Sequence, residues 1–154
     1  MWLKKELSSL QHYTKEIENE LIRNRVSYLM EWYVRKCTYY KNIYYSLSVL
    51  LIVINASIPI LNQTVWKYSK ITVSIISSLA TISTSVMTLF TMKDTWFRYR
   101  NSVELMKKEC MLFSGRCNEY SRHYRETLFI KRFEDIIENE RKTWQKNKFY
   151  NDEK

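Results

Sequence analysis

Three cysteines, two histidines and sixteen carboxylates are the residues of this 154-residue chain from which an active or metal site would be built. Cys110 and Cys117 stand seven apart, and His12 and His123 are remote from each other, so no zinc-ligand spacing is met. Gly115 is the only glycine, which excludes the Gly-rich loops that cradle phosphates. Glu104 and Glu109 lie among lysines and arginines at helical spacing, the pattern of surface ion pairs and not of paired acids in a cleft. Cys110 and Cys117 read as small apolar residues of a packing seam, and Cys37 as a buried or tolerated thiol. No catalytic, cofactor-binding or metal-binding residue is expected, and enzyme activity is not expected.

The polar atoms that do form a pattern are hydroxyls. Ser77, Thr81, Thr84, Thr88 and Thr91 fall on one helical line inside Ile71 to Met92, a run of 22 residues without a charge. Ile71, Ile75, Leu79, Ile82, Val86 and Leu89 form a second line, offset by two residues or about 200°, hence on the opposite face. Such a helix can turn its aliphatic side to lipid. Its hydroxyl side then lines water or permits close approach of another helix, and both readings stand. Asn55 is the one strongly polar side chain deep in the earlier apolar run, where an intramembrane amide is expected to pair with another helix.

These residues require elements that cross a bilayer. Asn42 to Trp66 holds 25 residues without a charge, and each run matches the roughly 20 residues that span about 30 Å of hydrocarbon. Spans over about 43–61 and 71–92 are predicted, with Pro59 near the end of the first, where a kink exposes little backbone. One glycine and one proline leave almost no turn chemistry for sheet, so the chain is expected to be all-α. Residues 62–70 make a short connection, with Trp66 and Tyr68 as interfacial anchors and Lys67 and Lys70 as its only charges. Arg35, Lys36 and Lys41 precede the first span, and Lys93, Arg98, Arg100, Lys107 and Lys108 follow the second. Positive-inside bias therefore puts both termini in the cytoplasm. The predicted architecture is an antiparallel two-span transmembrane hairpin over 42–92 in the inner (plasma) membrane. An amphipathic cytoplasmic helix over 1–41 and a helical extension over 93–154 are expected to pack as a bundle. The formal charge of +9 is then explained by topology and anionic lipid, not by nucleic acid.

Trp96, Tyr99, Val103, Met106, Cys110, Phe113, Cys117 and Tyr120 alternate steps of three and four, a heptad seam for the bundle core or for an oligomer. The same frame runs back through Leu89, Ile82 and Ile75. It predicts one continuous helix from about Ile71 to about Tyr120, some 75 Å long. Leu3, Leu7, Leu10, Thr14, Ile17 and Leu21 make the N-terminal stripe. Phe129, Phe133, Ile136 or Ile137, and Trp144 make a C-terminal one over 127–145.

Residues 31–61 and 95–120 resemble a widespread bacterial two-transmembrane family catalogued as a domain of unknown function and similar to the SLATT effector domains. The likeness rests on Glu31, Trp32, Tyr33, Arg35, Lys36 and Pro59 around the first span, and on Trp96, Tyr99, Arg100, Glu104, Leu105, Lys107, Glu109 and Tyr120 after the second. SLATT domains are proposed to be pore-forming effectors of bacterial conflict systems. The resemblance therefore implies a homo-oligomeric pore or ion channel whose partners are lipid, further copies of the chain and ions. With no second domain read in the chain, a cytoplasmic partner or small molecule is the expected trigger. The alternative is a non-conducting scaffold that binds a partner through its cytoplasmic helices.

Overall fold

Helix formers dominate the chain, and every regular element is helical among the residues described by the computed structural model, 2–63, 69–121 and 124–152. The elements are α1 (Trp2–Thr14), α2 (Glu20–Gln63), α3 (Ser69–Leu89), α4 (Met92–Ser114) and α5 (Arg125–Asp152), with a 3₁₀ turn at Asn118–Ser121. Contacts divide the chain into two units, one of residues up to Thr38 together with those from Phe97, the other Tyr39–Trp96. The predicted anchors Trp66 and Tyr68, with Lys67 and His123, lie outside the described residues.

The first unit has one apolar core. It takes Leu10 from α1, Ile17 from the connection, Ile22, Val26, Met30 and Val34 from α2, Val103, Met106, Cys110 and Phe113 from α4, and Phe129, Phe133 and Ile137 from α5. Tyr120 of the 3₁₀ turn joins the same cluster. Phe113 and Phe129 pack with ring centres 4.6 Å apart, and Tyr120 meets Phe113 edge to face at 5.8 Å. The helix read over residues 1–41 is divided by Lys15–Asn19. The Asn19 side chain caps the new helix by accepting from the backbone N–H groups of Leu21 (3.1 Å) and Ile22 (3.4 Å). The division resets the helical phase, and Leu21, the last member of the N-terminal stripe, is 76% exposed.

The continuous helix expected from Ile71 to Tyr120 is interrupted twice. At Phe90–Thr91 the ladder tightens, with Thr91 N–H donating to the Thr88 carbonyl (3.0 Å), and Thr91 takes a φ of 41°. Thr91 then caps α4, its carbonyl accepting from Thr95 N–H (3.0 Å), and Asp94 places negative charge in the first turn, where the helix dipole favours it. α4 itself ends at Ser114. Arg116 N–H reaches the Phe113 carbonyl (3.2 Å) and Cys117 N–H the Leu112 carbonyl (3.1 Å), the two bonds of a Schellman closure. The left-handed residue of that closure is Arg116 (φ 49°), not the neighbouring Gly115. A non-glycine residue pays roughly 1–2 kcal/mol for this conformation. Arg116→Gly is therefore expected to raise stability by up to about 1 kcal/mol after the unfolded-state entropy of glycine is set against it, read as a higher thermal midpoint.

In the second unit the apolar stretch of α2 and that of α3 running towards α4 are long and apolar enough to cross a membrane. None of the first window and 6% of the second is buried within the chain. Tyr44, Leu47, Leu51, Ile54, Ile58 and Leu61 form the less exposed stripe of α2, while Val73, Ile76, Ala80, Ser83 and Met87 form that of α3.

Candidate functional site

On α3 the hydroxyl line falls beside the less exposed stripe. Ser77 and Thr91 are half-buried, whereas Thr81, Thr84 and Thr88 are exposed. Ile71, Ile75, Leu79, Ile82, Val86 and Leu89 are all exposed. Each threonine hydroxyl of the line within α3 donates to the carbonyl four residues back: Thr81 to Ser77 (3.0 Å), Thr84 to Ala80 (2.9 Å) and Thr88 to Thr84 (3.0 Å). Ser74, Ser78 and Ser85 do the same. With their protons satisfied locally, these side chains present oxygen lone pairs outward without leaving an unmet donor. Asn55 and Pro59 lie on exposed positions of α2. Tyr45 and Trp96 meet with ring centres 6.4 Å apart, bringing together the start of one apolar stretch and the residues just beyond the end of the other.

In the first unit the charged residues of α4 are tied into pairs that bridge distant segments. Arg98 meets Glu140 of α5 at 2.7 Å, with side chains only 12% and 9% exposed. Arg100 and Lys107 converge on the buried Glu6 of α1 and on Glu104, Lys107 at 3.3 Å to each and Arg100 at 2.8 Å to Glu104. Glu109 is mostly buried and accepts from the Tyr120 hydroxyl (2.6 Å), with Arg132 3.9 Å away and over the Tyr120 ring. The expectation of local surface pairs describes Glu104 but not Glu109, whose partners lie 11 or more residues along the chain. Arg100, Lys107 and Glu109 thus tie α4 to α1, to the 3₁₀ turn and to α5 within this unit. Sequence reasoning missed Glu6, Arg132 and Glu140, because nothing local marks a partner on another helix.

Of the seam residues, Val103, Met106, Cys110, Phe113 and Tyr120 are buried in this core, Tyr99 packs against it, and Cys117 is exposed. Trp96 belongs to the second unit. No group of three or more histidine, cysteine or acidic side chains able to hold a metal ion occurs among the described residues.

A cleft of about 390 Å³ opens between α2, α4 and α5. Trp32, Tyr33 and Tyr99 form one wall, mutually edge to face with ring centres 5.0 to 5.9 Å apart. Tyr28 and Leu29 extend it, and Ile137, Glu140, Arg141 and Trp144 supply the α5 side. Burial, with Glu140 beside it, pushes the Tyr33 phenol up to about 12, and burial likewise pushes the Cys110 thiol up to about 12. Burial and the bond to Glu109 raise Tyr120 as well. All three bind their protons more tightly when folded. Their stabilising contribution is whole below the ordinary values of 9.0 for the thiol and 10.0 for the phenols, and is lost as pH rises towards 12. A urea titration is expected to give a falling midpoint from about pH 9 upward.

One family model, described as a protein of unknown function (DUF4231), matches residues 29–127. No curated protein and no solved structure matches the chain.

Proposed function

Since the chain belongs to the DUF4231 family, whose description assigns no activity, we propose from its own residues that it is a homo-oligomeric inner-membrane protein of the SLATT-like, pore-forming kind. In this reading α2 and α3 cross the bilayer as an antiparallel hairpin, with both termini in the cytoplasm. Two long apolar stretches with almost no burial inside the chain support membrane insertion, because exposed apolar surface of that extent is not tolerated in water. The Tyr45–Trp96 contact supports the hairpin, and these rings suit a headgroup-level aromatic belt.

The observation that carries conduction is the exposure of Thr81, Thr84 and Thr88, whose outward face is not used up by packing within the chain. Two spans cannot enclose a path, so several copies must bring these faces together. The hydroxyl oxygens would then line water while Ile75, Leu79 and Ile82 face lipid. Reconstituted in vesicles of phosphatidylethanolamine and phosphatidylglycerol, the protein is expected to release a trapped ion indicator. Thr84→Leu with Thr88→Leu should cut that flux at least about tenfold by dewetting the path. Absence of flux from a protein that is oligomeric by mass measurement, or flux indifferent to the two substitutions, would reject conduction in favour of the non-conducting anchor.

A further inference from the structure

We propose that the C-terminal part of α5, residues 141–150, lies along the cytoplasmic headgroup layer and holds its anionic lipids. The inference rests on the membrane reading above but not on conduction.

α5 outruns the core to which it belongs. Phe129, Phe133 and Ile137 are buried, whereas every residue from 141 to 146 is exposed and the helix continues to Asp152. Past Ile137 no described side chain of the helix is buried, although a buried face supplies most of the stability of a helix in water. Phe129 meets Phe113 near the end of α4, and Glu140 meets Arg98 near its start, so the two helices run antiparallel. Arg98 is two residues after Trp96, about 3 Å of helix, and the membrane reading puts Trp96 at headgroup level. From Glu140 α5 runs on for twelve residues, about 18 Å, so its overhang starts where the headgroups start.

Composition changes at the same point. Residues 125–140 carry five acids and three bases, and most are paired within the unit: Arg125 with Glu18, Arg132 with Glu119, Glu134 with Arg25 and Glu140 with Arg98. Residues 141–150 carry Arg141, Lys142, Lys146 and Lys148, no acid, and the rings of Trp144, Phe149 and Tyr150. Lys142 makes an exposed pair with Glu138 (2.6 Å), and Lys146 has no ion pair among the described residues. Bases interleaved with aromatics are the composition of a helix that lies in an interface, its rings at the edge of the acyl chains and its cations among the phosphates. Trp144, 47% exposed, is one such ring. Four cations forbid entry into hydrocarbon, so the segment lies along the surface instead of crossing it. Each cation at an anionic surface adds about fivefold to partitioning.

The test is amide hydrogen exchange of the full-length protein in two lipid nanodiscs, one of phosphatidylcholine alone and one with phosphatidylglycerol added. The amides of 141–152 are expected to exchange at least about fivefold more slowly with phosphatidylglycerol, and the difference to vanish at high salt. Lys146→Gln combined with Lys148→Gln is expected to bring exchange with phosphatidylglycerol to within about twofold of that in phosphatidylcholine, while residues 129–137 exchange as in the parent. This inference alone is overturned if both apolar stretches are protected while 141–152 exchange alike in the two lipids. It is equally overturned if the two substitutions change nothing, or if inorganic phosphate or a short RNA in solution slows exchange as much as the lipid does. Unprotected apolar stretches overturn the membrane reading together with it.

Discussion

Met106→Lys is expected to abolish cooperative unfolding of the unit formed by α1, the first part of α2, most of α4 and α5. Met106 is fully buried, in a core shared with Met30, Val103, Cys110 and Phe113. An ammonium there has no carboxylate to answer it, and an uncompensated buried charge costs several kcal/mol. Whole domains are stable by only about 5–15 kcal/mol, so this one substitution consumes much of the margin. Met106→Leu keeps volume and apolarity and is expected to cost less than about 1.5 kcal/mol. Circular dichroism melts in detergent and limited trypsin digestion of α5 read the difference. A lysine variant that melts within a few degrees of the parent would mean that the core is not closed around position 106.

The second large effect belongs to the Arg98–Glu140 pair. Glu140→Ala should cost about 3–5 kcal/mol, because it leaves the Arg98 guanidinium almost buried with its main partner gone. Tyr33, beside Glu140, loses a neighbouring acceptor at the same time. Combining Arg98→Met with Glu140→Leu should recover most of the loss, since an apolar pair of similar volume escapes the desolvation of two charges. A double-mutant cycle measures the coupling directly, and a coupling near zero would show that each side chain acts alone.

The all-helical character was legible in the scarcity of glycine and proline, and the two apolar stretches were legible in their length. Periodicity also picked out Val103, Met106, Cys110 and Phe113 as one stripe, because a helix repeats its environment every three or four residues. The same reasoning ran too far where the helix stops. Cys117 continues the heptad on paper, but α4 closes at Ser114 and Arg116 turns left-handed, so the thiol emerges in solvent. Leu21 fails likewise across the break before α2. The ion pairs were hidden for another reason: Glu6 and Arg100 are 94 residues apart, and only the folded chain brings them together. The cleft was hidden for the second reason, since its lining comes from three helices far apart along the chain, from Tyr28 on α2 to Trp144 on α5.

Of the three thiols, Cys37 and Cys110 are shielded and Cys117 alone stands in solvent. A thiol is labelled only where the reagent can reach it, so a maleimide dye should find one fast site per chain. The native protein thus already carries a single attachment point for counting subunits by stepwise photobleaching, with no cysteine added or removed.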